Sequence, residues 1–194
     1  MLLFKMLRRG GGRAMDPLHV SMTGVRMGER FLQIGCDDRE LLAGLAAKVG
    51  LSGTAAVATL DDESAKRAAA VGVKIGALID VRPIAGDNLP FESDQFDMIV
   101  VDDTRGSFAG LSQGPRLSYL REARRIVRAG GRVEVVEGIG SSVARAAGYD
   151  IVGDLEGAGF RPVRALAERD GFRFVEGLKP NITAPSGGAA TSSA

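Results

Sequence analysis

The chain is short of cysteine, histidine and aromatic residues, and each shortage closes off a class of function. Among 194 residues, Cys36 is the lone thiol. It excludes an intramolecular disulfide and a cysteine-based metal site, and it fits a reducing, cytoplasmic compartment. No metal site is expected. Aromatic residues make up only 5% of the chain, and no basic groove interleaved with aromatics is visible, which argues against an RNA or DNA substrate. Neither sign of charge dominates. Lys+Arg number 25 against 24 Asp+Glu, a net charge of +1, so there is no global electrostatic reason to bind nucleic acid or an anionic membrane. A long hydrophobic run is missing too. The apolar start MLLFKML is much too short to span a bilayer. Its positive charges, Lys5, Arg8, Arg9 and Arg13, follow the apolar part, the reverse of a secretory signal. No stable membrane insertion is expected, and no internal repeat is visible.

What is present is the pattern of one α/β domain. The length suits a single compact core. Residues 1–23 read as an N-terminal extension, 24–180 as the domain, and 181–194, rich in Ala, Ser, Gly and Thr, as a disordered tail. Strand and helix signals alternate. Phe31 to Gly35 is a short apolar strand, followed by a helix that Asp37 or Asp38 can cap. Thr54 to Leu60 is a second strand, and Asp61-Asp62-Glu63-Ser64 opens a helix running to about Ala70. Lys74 to Val81 reads as a third strand. Phe96 to Val101 is the clearest strand, a near-continuous apolar run suited to burial on both faces. A helix with Leu117, Leu120, Ala123, Ile126 and Val127 on one side ends at Gly130-Gly131. Arg132 to Glu137 is the fifth strand, Gly138 to Tyr149 a connector, and Asp150 to Ala158 a further helix. Phe160 to Leu166 and Gly171 to Val175 form a pair with a turn at Asp170-Gly171. Alternation of this kind predicts a doubly wound, mostly parallel sheet with helices on both faces and an antiparallel strand in the closing pair.

Three segments point to one family. LQIGCDDREL, from Leu32, stands where a glycine-rich cofactor turn is expected. LPFESDQFDMIVVDD, from Leu89, and YLREARRIVRAGGRVEVVEG, from Tyr119, follow in order, and a further match, GAGFRPVRALAERDGFRFVEGLKP, closes the domain. Together they resemble the small class I S-adenosylmethionine-dependent methyltransferases, the type that includes the ubiquinone and menaquinone biosynthesis enzymes. The resemblance implies a Rossmann-like seven-stranded sheet, S-adenosylmethionine as cofactor, and a pocket at the carboxyl ends of the first strands. It also implies methyl transfer to a small-molecule acceptor. Little chain is left for a substrate lid, so the acceptor either binds openly or is supplied by a partner chain, a partner protein or a homodimer. Methyl transfer asks mainly for alignment and exclusion of water, so the lack of a catalytic triad decides nothing.

By that resemblance the cofactor residues are Gly35, Cys36, Asp37, Thr59, Leu60, Asp87 and Asn88, and Asp102 is the candidate for a polar or general-base role. The family turn reads Gly-x-Gly-x-Gly, whereas Asp37 and Arg39 stand at its second and third glycines. Asp37 either pairs with the methionyl ammonium or closes the turn and, with Asp38, caps the helix. Thr59 stands where the family has an acid for the ribose hydroxyls, with Asp61 two residues on as a substitute or a helix cap. Ala85 replaces the acid that reaches the adenine, leaving Asp87 or Asp80 to serve. Asp97 reads as structural, Cys36 as a small buried residue, and His19 as a surface histidine. These departures leave a second reading open, a catalytically inactive methyltransferase-like binding or scaffolding subunit.

Overall fold

The computed structural model describes residues 16–140, 146 and 148–181. The first fifteen residues, the tail after Asn181 and most of the connector before Tyr149 lie outside the described residues. The elements run α1 (Pro17–Met22), β1 (Arg30–Ile34), α2 (Arg39–Val49), β2 (Thr54–Thr59), α3 (Asp62–Ile75), β3 (Ile79–Pro83), β4 (Phe96–Asp103), α4 (Gln113–Ile126), β5 (Val127–Gly138), α5 (Ile151–Gly157), β6 (Val163–Arg169) and β7 (Phe172–Leu178). They form one seven-stranded sheet in the order β3-β2-β1-β4-β5-β7-β6. The first five strands pair in parallel, and β7 runs antiparallel to both β5 and β6. The antiparallel strand is thus one place in from the edge, which β6 forms.

Alternating side chains of the central strands feed two cores. Leu32, Ile34, Ile99, Val101, Val133 and Val135 pack toward α4 and α5. Phe31, Met98, Val100 and Val136 pack toward α1, α2 and α3 with Leu41, Leu45 and Val71. Both faces being covered is what the near-continuous apolar run of β4 requires.

The third strand starts later than its sequence pattern suggests. Lys74 and Ile75 belong to α3, which opens at the Asp61–Ser64 capping box and ends at Gly76, left-handed at φ 65°. Apolar residues at 71, 73 and 75 mimic the two-residue strand period, but Val71 is buried and Val73 is exposed, as one helix face dictates. Likewise α4 gives way to β5 at Val127 with no intervening loop. The glycines expected to end the helix lie inside the strand. A Cβ on Gly131 would stand 2.8 Å from the Asp97 carbonyl oxygen, so glycine there permits close packing of β5 on β4. The closing hairpin turns at Asp170 (φ 53°) and Gly171 (φ 85°). Two successive left-handed residues match the right-handed twist of the strands they join.

His19, expected at the surface, is buried. Its ring meets Phe172 edge-on at 5.1 Å and lies parallel to Phe174, and its Nδ1 accepts the Asp16 N–H in the capping box of α1. It fastens α1 to β7. Residues 16–23 of the expected extension therefore pack on the domain, with Val20 and Thr23 buried as well.

Candidate cofactor and acceptor site

Strand order reverses between β1 and β4, and the crevice above such a reversal is where open α/β sheets hold ligands. Gly35 follows β1 at this point. Its φ is 82°, its N–H donates to Ala58 O at 2.8 Å, and a Cβ would lie 3.2 Å from Asp102 O. Both the torsion and the close approach require glycine. Asp38 caps α2, its Oδ1 accepting from Glu40 N at 2.8 Å and Leu41 N at 3.1 Å. Asp37 does something else. Its Oδ2 accepts from Arg105 N at 3.2 Å and Ser107 N at 3.3 Å, and its Oδ1 from Ser107 Oγ. The residue at the second glycine position therefore clamps the β1 turn to the loop after β4. Arg39 is exposed and opens α2, which its side chain tolerates by pointing to solvent. The Cys36 carbonyl accepts from Arg67 Nε at 2.7 Å. Its thiol is fully buried, and burial pushes it up to about 12, so it is inert.

Asp102, at the carboxyl end of β4, is buried and fully engaged. Oδ2 accepts from Gln33 Nε2 at 3.2 Å and Asp38 N at 2.9 Å, and Oδ1 from Thr104 N at 3.2 Å and Oγ1 at 2.7 Å. Burial, reinforced by the nearby Asp37, pushes its carboxyl up to about 7. Gln33, which the sequence reading passed over, also donates to Gly35 O at 3.1 Å. A lone amide inside an apolar strand was the signal for it. Asp103 faces the opposite layer. Its Oδ1 accepts from Phe108 N and Ala109 N at 2.8 and 2.9 Å, and its Oδ2 from the Tyr149 hydroxyl at 3.3 Å. Burial pushes this carboxyl up to about 6.

The other candidates cluster at the end of β2. Thr59 is buried, and its Oγ1 has no hydrogen-bond partner among the described residues. Leu60, half-buried, reaches within 4.0 Å of the Cβ position of Gly35. Asp61 accepts from Ser64 N at 2.6 Å as the cap of α3. Asp87 and Asn88 are exposed in the loop after β3, which Ile84 N ties to Thr59 O at 3.0 Å. Asp80 lies second in β3, opposite Ala56, and pairs with Arg82 at 2.8 Å. A buried hydroxyl lacking a partner, beside an apolar side chain and a glycine turn, suits a nucleoside: the residues fit S-adenosylmethionine at this end.

Among the described residues no helix is long and apolar enough to cross a membrane, and no group of three or more His, Cys, Asp or Glu could hold a metal ion. Residues 15–148 match the model of the ubiE/COQ5 methyltransferase family. No curated protein sequence matches significantly. Among solved structures, an S-adenosylmethionine-dependent methyltransferase from Aquifex aeolicus is similar with a TM-score of 0.70 and 21% identity, over 84% of this chain and 89% of that one. The putative methyltransferase complexed with the Trm112 activator of Haloferax volcanii gives 0.62 and 15%, over 84% and 86%. The [4+2]-cyclase SpnF gives 0.64 and 16%, over 90% and 85%. At such identities the likeness speaks for the fold alone, and the cyclase shows that this fold hosts other chemistry. The family match covers most of the chain, and with the Gly35 turn in place at the strand-order reversal it settles the assignment: the chain belongs to the ubiE/COQ5 methyltransferase family, and its cofactor is S-adenosylmethionine.

Proposed function

We infer that the protein transfers a methyl group from S-adenosylmethionine to a small-molecule acceptor. The observation that carries the reading is Thr59 Oγ1, a buried hydroxyl without a partner among the described residues at the family's ribose position. An unpaired buried hydroxyl is costly, and a ligand hydroxyl offsets that cost. The cofactor supplies a methyl group already activated by its sulfonium. The chain's own residues bind, orient and exclude water. Thr59 would take a ribose hydroxyl, Leu60 would pack on the nucleoside, and the Gly35 turn would allow the backbone to come close to it. Asp87 and Asn88 are exposed nearby for the base. Asp102 acts as a positioning residue: through the Asp38 N–H and Gln33 it fixes the turn on which the cofactor rests. Asp37 holds the opposite loop in register, so the two walls of the crevice keep their spacing. Alignment of this kind is the main lever for a transfer that needs no proton relay at the sulfonium.

Calorimetric titration with S-adenosylmethionine and S-adenosylhomocysteine tests the reading. Micromolar binding of both is expected. Thr59→Val keeps shape and removes the hydroxyl, and should weaken S-adenosylhomocysteine binding about 5-fold, the worth of one hydrogen bond, with no loss of thermal stability. Absence of heat at millimolar ligand overturns the reading.

A further inference from the structure

The amino ends of β1, β2 and β3 lie at the far end of the sheet from the crevice, and an apolar patch is left open there. The loops after α2 and α3 are neighbours, because the strands they lead into, β2 and β3, pair in parallel. Each loop begins at a left-handed glycine, Gly50 and Gly76, both at φ 65°, and each carries a leucine. Leu51 and Leu78 are exposed to 108% and 94%, as fully as in an extended chain. Both line one groove, together with Ala46, Ala47, Ile75 and Ala77. Met27, exposed to 80%, has its Cγ 4.0 Å from the Cβ position of Gly50 and extends the patch toward β1.

Single exposed apolar side chains are ordinary, but three gathered round one groove make a contiguous surface of the kind that marks an interface. The patch holds both halves of a fit, protruding leucines and a groove lined by small residues. Such a surface can meet itself across a two-fold axis. A peptide laid in the groove would leave the protruding leucines in water. The area agrees. Burying a Leu or Met side chain removes roughly 100 Å² of apolar surface, so these three give roughly 300 Å² per copy. A standard interface takes about 800 Å² per partner, of which about 450 Å² is apolar. The three side chains supply most of that apolar share, and the groove walls supply the rest. At the margin, Asp80 pairs with Arg82 at 2.8 Å and Lys74 with Glu40 at 3.1 Å, so these charges are balanced before a second copy arrives.

We propose that a second copy of this chain docks on this patch, in an isologous dimer where Leu51 of each copy packs against Leu78 of the other. The crevices then face away from the interface, one at each end of the dimer. The proposal does not depend on the methyl-transfer reading.

Sedimentation equilibrium of the full chain tests it. A reversible monomer–dimer equilibrium with a dissociation constant on the order of micromolar is expected. Leu51→Lys and Leu78→Asp each replace a fully exposed side chain, and thermal unfolding matching that of the unmodified protein verifies their fold. Each should weaken self-association at least about 10-fold, because a charge is then buried against a leucine. Mixed in equal amounts, the two variants should recover the dimer, since the introduced lysine of one meets the introduced aspartate of the other while the remaining leucines pack as before. Leu166→Lys, at the exposed β6 edge, should leave association unchanged. A chain that stays monomeric at about 200 μM, far above a micromolar constant, overturns the proposal and leaves the groove to a segment of another protein. A dimer that persists in both single variants overturns it too, as does a mixture no stronger than its components. Weakening by Leu166→Lys as large as that by Leu51→Lys moves the interface to β6 and likewise overturns it.

Discussion

Strand β4 carries an aspartate near each end, and the two live in opposite electrostatic worlds. Asp97, at the amino end, accepts from Arg30 N at 2.9 Å, Arg30 Nε at 3.1 Å and Arg128 Nε at 2.6 Å. Partial burial works to raise its carboxyl, but the two guanidinium groups outweigh it and hold the group well below the usual range. Asp102, five residues on, meets only neutral donors, Gln33, the Asp38 N–H and Thr104, and burial pushes it up to about 7. The conspicuous Phe96-Asp97 pair is thus a charged clasp between strand starts, remote from the crevice. The acid held among neutral donors is the one whose surroundings the motif does not advertise.

The largest effect should come from truncating each acid in turn. Asp102→Ala leaves the Asp38 and Thr104 N–H groups and one Gln33 amide N–H without their acceptor, and should cost about 3 kcal/mol or more in urea unfolding. Asp97→Ala leaves two exposed arginines that water can solvate, and should cost about 1–2 kcal/mol. Equal losses would break the contrast.

A third carboxylate sharpens it. Glu134 in the middle of β5 is fully buried, and neither oxygen has a hydrogen-bond partner among the described residues. Burial first, then Glu176 opposite it in register, push its carboxyl up to about 8 against the pull of Arg132 and Lys48. A folded-state value raised above the unfolded one means that the native chain keeps a proton the unfolded chain has lost. Stability then falls as pH rises from about 4.5 to 8, by at most about 1.4 kcal/mol per unit for each such group. Asp102 and Asp103 add to the fall between about 4 and 7. Asp97 works the other way, its contribution complete above about pH 4 and lost below. Glu134→Gln should therefore stabilise the protein by about 2 kcal/mol at pH 8 and by almost nothing at pH 4.5. Urea midpoints across that range check it, and a gain independent of pH would refute the assignment.

The smallest effect concerns salt. The Asp97 clasp, being partly exposed, should lose under about 1 kcal/mol between 0.05 and 1 M sodium chloride, and Asp97→Asn should erase that dependence. A salt response unchanged in the variant would show that the clasp is not electrostatic.

Legibility in the sequence followed the range of the interaction. The alternation of strands and helices, the turn at Gly35, the cap at Asp61 and the hairpin at Asp170-Gly171 rest on neighbours a few residues away, and the pattern showed them. Thr59 is a candidate through its spacing within a known family arrangement. What the pattern could not show was held at long range. The role of Asp37 depends on Ser107, that of Gln33 on Asp102, and the burial of His19 on Phe172 and Phe174. Nothing local distinguishes Asp37 from Asp38; only the loop that lies opposite one of them does.

The Asp37 clamp bears on how the molecule comes to be. Its bonds to Arg105 and Ser107 close loops of 68 and 70 residues, and the Asp38–Asp102 bond one of 64. Closing loops of that length carries an entropic cost that no early local contact repays. The β1 turn is clamped only once β4 has docked beside β1, because Asp102, Arg105 and Ser107 arrive with that strand. Folding intermediates lacking the β1–β4 pairing would carry the residues of the crevice without the crevice, so recovery of cofactor binding on refolding should report the last step of assembly rather than the first.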